Sequence, residues 1–223
     1  MASTQKKIMK ITNFQNNNIS NPFNPVYSYY IAEDILPIDT EVLTKFLLYK
    51  EKELLKKYPP NYDGGTGVSK NSLTNRFIYY NLLEFDDTSF LKNYIRKAHD
   101  KFVEKINIDI DKNYYVQCWY NILRKNEKIK GHQHHYSNEG YLTGHICVNV
   151  QNTSTYYESP YFKKPHEIPN TPGQITLFPA WVTHYTDEVK NDFERITIGF
   201  DIRTEKSYID NVPPKLKNHW IKI

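Results

Sequence analysis

Arg195-Ile196-Thr197-Ile198-Gly199-Phe200-Asp201-Ile202-Arg203 alternates without a break: the odd positions carry Arg, Thr, Gly, Asp and Arg, and every even position is apolar. Successive side chains of a strand point to opposite faces, so this stretch reads as a β-strand with one packed face and one polar face. The polar face of such a strand ordinarily meets solvent. Two features upstream argue for a site instead. Phe178-Pro179-Ala180-Trp181-Val182-Thr183-His184 sets a histidine after an aromatic turn, eleven residues before Arg195, which suits two strands joined by a polar loop. Earlier still, His132-Gln133-His134 projects both imidazoles to one side of a strand. Three histidines on neighbouring strands fit one face of a metal, and imidazole suits iron, zinc, copper or nickel. An arginine with a hydroxyl nearby is what a dicarboxylate requires, because guanidinium grips carboxylate through two parallel hydrogen bonds.

Further strands are expected at Tyr114–Leu123, Leu142–Val150, Thr155–Glu158, Gln174–Phe178 and Val182–Tyr185, where β-branched and aromatic residues cluster between turn formers. Two amphipathic helices precede them. The first starts at Asp39 or Thr40 and carries Leu43, Phe46, Leu47, Leu54 and Tyr58 on one face until Pro59-Pro60 stops it. The second, capped by Thr88 or Ser89, has the stripe Leu91, Ile95, Ala98, Phe102 and Ile106, and a strand is expected between the two at Arg76–Leu83. Helices first and short strands afterwards predict an α+β fold, a barrel or jelly roll backed by N-terminal supporting helices. Residues 1–26, with Asn16-Asn17-Asn18, read as a mobile leader, residues 27–203 as a single domain, and 204–223 as an extended tail whose Trp220 docks on the body.

Composition narrows the function classes. With 29 Lys+Arg against 25 Asp+Glu the net charge is +4, too small to announce a nucleic-acid partner, and no basic-aromatic stripe suggests one. No apolar run is long enough for a membrane span and the start lacks the apolar core of a signal peptide, so a cytoplasmic protein is expected. Cys118 and Cys147 read as buried thiols. Asp63-Gly64-Gly65-Thr66-Gly67 lacks the Lys-Ser/Thr ending of a phosphate loop. Of the remaining histidines, His145 reads as a hydrogen-bonded barrel-wall residue, His135 as pointing away from His132 and His134, and His99, His166 and His219 as solvated.

In this order and spacing, Trp119-Tyr120-Asn121, Gly131-His132-Gln133-His134, Leu142-Thr143-Gly144, Gly173-Gln174-Ile175-Thr176-Leu177-Phe178-Pro179, His184 and Arg195-Ile196-Thr197 resemble the iron(II)- and 2-oxoglutarate-dependent oxygenases. The likeness is to prolyl-hydroxylase-like members from phage and marine microbes. Asp63–Gly67 and Asn71–Arg76 extend it into the N-terminal half, so it spans roughly residues 27–203. The resemblance implies a double-stranded β-helix, a jelly-roll barrel holding Fe(II) and 2-oxoglutarate. It implies an O2-dependent hydroxylation of an unactivated C–H bond, with succinate and CO2 as co-products and ascorbate as an accessory reductant. It makes His132 the first metal ligand and His184 the distal one, with Arg195 holding the remote carboxylate of 2-oxoglutarate, helped by Thr197. Tyr120 or Asn121 would contact the cosubstrate. The substrate it implies is a peptidyl proline or an amino acid, with Tyr156–Lys164 as a lid or a solvated insertion. For a phage-encoded member the location is the host cytoplasm.

One position departs from the family pattern. The third ligand is ordinarily an Asp or Glu two residues after the first histidine, and here that residue is His134. His134 as a third imidazole, Glu139 reaching in from the loop, and water are the three ways to complete the site. Two other classes of function stand beside the oxygenase: a cupin-like metal oxygenase using three histidines without 2-oxoglutarate, and a non-catalytic β-barrel binding or structural module. Arg195 with Thr197 counts against the first, and the three histidines together count against the second.

Overall fold

Two strands precede the helices in the computed structural model, which describes residues 8–15, 23, 26–110, 112–134, 140–158 and 164–223. β1 (Lys10–Gln15) and β2 (Ser28–Ile35) pair antiparallel, from Lys10↔Glu33 to Gln15↔Ser28. Part of the expected leader is therefore sheet. Met9 is buried in the core and Phe14 stacks on Tyr29 with ring centroids 4.8 Å apart, so this segment gains enough apolar burial to be held.

α1 (Thr40–Lys57) begins where its cap predicts, the Asp39 carboxylate accepting from the backbone N–H groups of Glu41 and Val42 at 3.1 and 3.0 Å. Leu43, Leu47 and Leu54 are buried along one side. Glu51 lies on the same side and is buried because Arg124 grips it through both terminal nitrogens, at 3.0 and 2.7 Å. The strand expected at Arg76–Leu83 is instead two 3-10 turns, Leu73–Tyr79 and Leu82–Glu84. Side chains decide this: Ser72 and Asn81 accept from Thr74 N and Leu83 N, and the buried Arg76 guanidinium donates to the carbonyls of Lys70 and Ser72. α2 (Leu91–Lys105) buries Leu91, Ile95, Ala98 and Phe102 as its stripe predicts. His99, expected in solvent, is buried on the same helix, its ring bonded to the Tyr141 hydroxyl at 2.7 Å, and burial pushes its pKa down.

The rest of the chain is mostly strand: β3 (Tyr114–Leu123), β4 (Leu142–Asn149), β5 (Ser154–Tyr157), β6 (His166–Pro169), β7 (Gln174–Pro179), β8 (His184–Thr186) and β9 (Arg195–Thr204). The expected tail is ordered structure. α3 (Glu205–Asn211) and a 3-10 turn at Pro214–His219 lead to β10 (Ile221–Lys222) on the edge of β3, while the Arg203 guanidinium stacks 5.2 Å from the Trp220 ring centroid. A seven-stranded antiparallel sheet runs β1-β2-β7-β4-β9-β3-β10, and a three-stranded sheet runs β6-β5-β8. The even residues of β9 and β3 and the apolar residues Ile175 and Leu177 of β7 pack with α1 and α2 in the main core. Phe14, Tyr29, Ile31 and Phe178 of the large sheet meet Tyr157 and Ile168 of the small one in a second apolar cluster. The space between the sheets beside that cluster is where Arg195, Thr197 and Asp201 of β9 point.

Candidate functional site

That space is a cavity of about 220 Å³, lined among others by His132, His134, His184, Arg195, Thr197 and Asp201. The polar face of β9 thus turns inward: Arg195 is 1 % and Thr197 3 % exposed. His132 and His184 form an antiparallel bridge, His132 N donating to His184 O at 3.2 Å and His184 N to His132 O at 3.1 Å. Two residues on, His134 N donates to Ala180 O at 3.0 Å. Residues 132–134 are therefore strapped along the turn before β8, and the i, i+2 spacing delivers the first two imidazoles beside the third. The ring centroids lie 4.3 to 5.2 Å apart, and one ring nitrogen from each falls within 4.8 Å of the others. Three mutually cis donors about 2.1 Å from a metal stand about 3 Å apart, so small inward shifts of the rings close the cluster on an ion.

Hydrogen bonds fix the tautomers. His132 Nδ1 lies 2.9 Å from Lys130 O and His184 Nδ1 3.2 Å from Val182 O, and a carbonyl only accepts, so each Nδ1 carries the proton. His134 Nδ1 lies 2.6 Å from Asp201 Oδ1 and 3.1 Å from Thr143 Oγ1. The Thr143 hydroxyl spends its proton on Phe200 O at 3.0 Å, so it too accepts from His134. All three Nε2 lone pairs remain for a metal. Burial and the neighbouring imidazoles push His184 well below the usual histidine range and His132 to about 4, so both are neutral and ligand-competent at physiological pH. This donor set suits iron or another divalent transition metal.

Arg195 is the second pole of the cavity. Its Nε approaches Thr153 Oγ1 at 3.4 Å, and its buried Nη1 has no hydrogen-bond partner. Burial pushes the guanidinium pKa down, yet the group stays charged at neutral pH. A buried cation with an idle donor fits an incoming carboxylate. Thr197 stands directly across the sheet from Asn121 of β3, so a hydroxyl and a carboxamide flank the approach to the arginine. The Thr74 hydroxyl donates to Asn121 Oδ1 at 2.7 Å and leaves the amide NH2 as the available donor. Tyr120 lies on the opposite face, with its hydroxyl donating to Leu47 O in α1 at 3.1 Å, so of the two candidates only Asn121 lines the cavity.

Glu139 and His135 lie outside the described residues, as do residues 159–163 of the expected lid. His145, read as a wall residue, has its ring in the cavity between β7 and β9, opposite Thr176 and Gly199. It makes no hydrogen bond to another described residue, and burial, then the Arg195 charge, then His134 push its pKa to about 3. Asp63, Gly64 and Thr66 of the glycine-rich loop form cavity wall, and Asp63 accepts from the N–H groups of Gly65 and Gly67 at 2.9 and 2.7 Å. Trp119 stacks on His134 at 5.6 Å, and Gly199 makes room for it, since an added Cβ would stand 2.9 Å from the indole. Periodicity placed Asp201 and Gly199 on the polar face, but nothing in the sequence signalled the partner of either.

The sequence matches no protein-family model and no curated protein. In structure the chain is similar to a prolyl-4-hydroxylase from Pseudomonas putida, with TM-score 0.54 and 7 % identity over 78 % of this chain and 92 % of that one. It is similar to SnoK, a non-heme α-ketoglutarate-dependent carbocyclase from nogalamycin biosynthesis, with TM-score 0.53 and 9 % identity over 86 % and 91 %. It is also similar to a prolyl hydroxylase from Trichoplax adhaerens solved with a hypoxia inducible factor peptide, with TM-score 0.52 and 14 % identity over 82 % and 87 %. The chain shares the fold of these enzymes. Among the described residues no helix is long and apolar enough to cross a membrane.

Proposed function

We propose that this chain is an iron(II)- and 2-oxoglutarate-dependent dioxygenase that hydroxylates an unactivated C–H bond, converting 2-oxoglutarate and O2 to succinate and CO2. One observation carries the reading: a single cavity contains three imidazoles with free Nε2 lone pairs and a buried arginine whose Nη1 has no partner. A dicarboxylate that meets the metal with one end and Arg195 with the other satisfies both. A metal oxygenase without 2-oxoglutarate gives no reason to bury an idle guanidinium, and a binding module gives none for three imidazoles tied back through Nδ1. The two sheets would then be the walls of a double-stranded β-helix.

His132, His134 and His184 would hold the iron, which supplies the activation of dioxygen that no side chain here provides. Arg195 would pair with the remote carboxylate, Thr197 and the Asn121 NH2 would orient it, and Trp119, Phe77 and Ile129 exclude water from that wall of the cavity. A peptidyl proline or an amino acid is the proposed substrate class, supported by the fold likeness to two prolyl hydroxylases. Anaerobic titration with iron(II) and then 2-oxoglutarate should develop a visible charge-transfer band. Under air, prolyl peptides should stimulate succinate release. A protein that gives neither band nor succinate overturns the reading.

A further inference from the structure

The carboxylate missing from the expected ligand set is present one imidazole away. Asp201 Oδ1 takes the proton-bearing Nδ1 of His134 at 2.6 Å, shorter than the 2.9 and 3.2 Å bonds that tie back His132 and His184. Those two imidazoles donate to neutral carbonyls, whereas His134 alone donates to an anion. We propose that Asp201 is the acidic group of this metal centre, acting through His134 as a positioning residue: it fixes the Nδ1–H tautomer and lends Nε2 the electron density that a directly bound Asp would give the metal.

Four further contacts make the arrangement specific. The His134 backbone is held by Ala180 O and its ring by the Trp119 stack, so the imidazole is not free to turn. The Thr143 hydroxyl, which donates to Phe200 O, offers its oxygen as a second acceptor to the Nδ1–H. Asp201 sits on the inward face of β9, across from Thr143 on β4 and Gln117 on β3, and its side chain is 16 % exposed against 11 % for His134. At that burial its charge is only partly screened. A carboxylate on the far nitrogen of a ligating imidazole raises the basicity of the near one.

The inference rests on the metal-binding part of the proposed function and needs no 2-oxoglutarate. Its test is a double-mutant cycle read as Co(II) affinity, by competition with a chromophoric chelator under argon, on wild type, Asp201→Asn, His134→Asp and the double variant. Asp201→Asn should weaken Co(II) binding by about 10- to 100-fold. In the His134→Asp background, where a carboxylate again faces the metal directly, the same change should cost nothing or tighten binding, because two adjacent carboxylates repel. Asp201→Glu, which keeps the charge, should recover part of the loss and return the cobalt absorption bands toward those of wild type. This variant and apo-protein melting curves separate loss of metal affinity from loss of fold. Wild-type affinity in Asp201→Asn, or equal losses in both backgrounds, overturns the proposal. Wild type that binds Co(II) with Asp201→Asn unaffected sinks this inference and leaves the oxygenase reading standing. A wild type whose cobalt affinity depends on Asp201 but which forms no complex with 2-oxoglutarate does the reverse.

Discussion

Arg195→Met tests the proposed cosubstrate pole with two effects of opposite sign. In the free protein the guanidinium is 1 % exposed, with one weak 3.4 Å contact from Nε and no partner for Nη1. A buried polar group left unpaired costs about 1–3 kcal/mol, and methionine fills much of the same volume without that cost. The apo variant should therefore melt at the wild-type temperature or above it, against the usual direction for a core substitution. The bound state should suffer instead. Two charge-assisted hydrogen bonds at roughly 1.5 kcal/mol each make about 3 kcal/mol. At about 1.4 kcal/mol per decade this is about 100-fold in 2-oxoglutarate affinity. Calorimetric titration of 2-oxoglutarate into the Zn(II)-loaded protein measures it without turnover, and Zn(II) affinity itself should hold. Unchanged 2-oxoglutarate affinity refutes the assignment of Arg195. So does loss of the metal together with the cosubstrate, and so does an apo protein destabilised by several kcal/mol, which would make the guanidinium a structural group.

Tyr120→Phe removes one buried hydroxyl bond to α1 and should cost about 1 kcal/mol in urea unfolding while leaving 2-oxoglutarate affinity alone. Asn121→Ala should lower that affinity severalfold, and a reversed ranking refutes the inward assignment of Asn121. His145 ordinarily titrates near 6.5 and here near 3, with Arg195, His134 and His184 as its charged or titratable neighbours. Between those values the unfolded chain takes up a proton that the folded chain refuses, so folded stability is intact above about pH 6.5 and declines as pH falls through the window. His145→Gln should flatten the apo acid-unfolding profile by on the order of a few kcal/mol, and an unchanged slope between pH 6.5 and 3 refutes it. Gly199→Ala sets a Cβ 2.9 Å from the Trp119 indole. It should destabilise by about 1–3 kcal/mol and shift Trp119 fluorescence, and wild-type values of both would mean that the indole has room to move.

What the sequence made legible is what period and spacing encode. The alternation in Arg195–Arg203 carried the inward polar face, and the i, i+2 pair with His184 carried the histidine cluster, because extended backbone converts those intervals into positions directly. What stayed hidden depends on which partner a side chain finds, some of them local and most of them distant in sequence. Arg76 and Ser72 turn an apparent strand into 3-10 turns through local carbonyl and amide bonds, which propensity does not weigh. Phe14 is an unremarkable residue in an Asn-rich stretch until Tyr29 gives it a stacking face. His145 reads as wall because it sits inside the strand Leu142–Val150, and only the sheet register, which sets it between Thr176 and Gly199, places its ring at the cavity. Asp201 is the same kind of case, since its meaning depends on a residue 67 positions earlier.

Charge explains how a carboxylate withdrawn by one imidazole can serve the site, and it gives the sharpest discrimination between the two poles. Among the described residues, and with His132 and His184 neutral, the inner cavity holds one cation, Arg195, and one anion, Asp201; Asp63 is engaged by the amides of its own loop. A divalent metal and a doubly negative cosubstrate add equal and opposite charges, so the filled site balances with Asp201 and carries a net positive charge without it. An uncompensated charge in a partly buried cavity costs several kcal/mol, which should fall on whichever ligand shares its sign. Asp201→Asn should then weaken metal binding while leaving 2-oxoglutarate affinity, measured on the metal-saturated protein, unchanged or higher. Arg195→Met should do the opposite, weakening 2-oxoglutarate and sparing the metal. Damage to the shape of the site would lower both affinities together. Calorimetry of the two ligands on the two variants therefore yields a crossed pattern if charge governs the site, and parallel losses in Asp201→Asn would show that Asp201 supports its architecture instead.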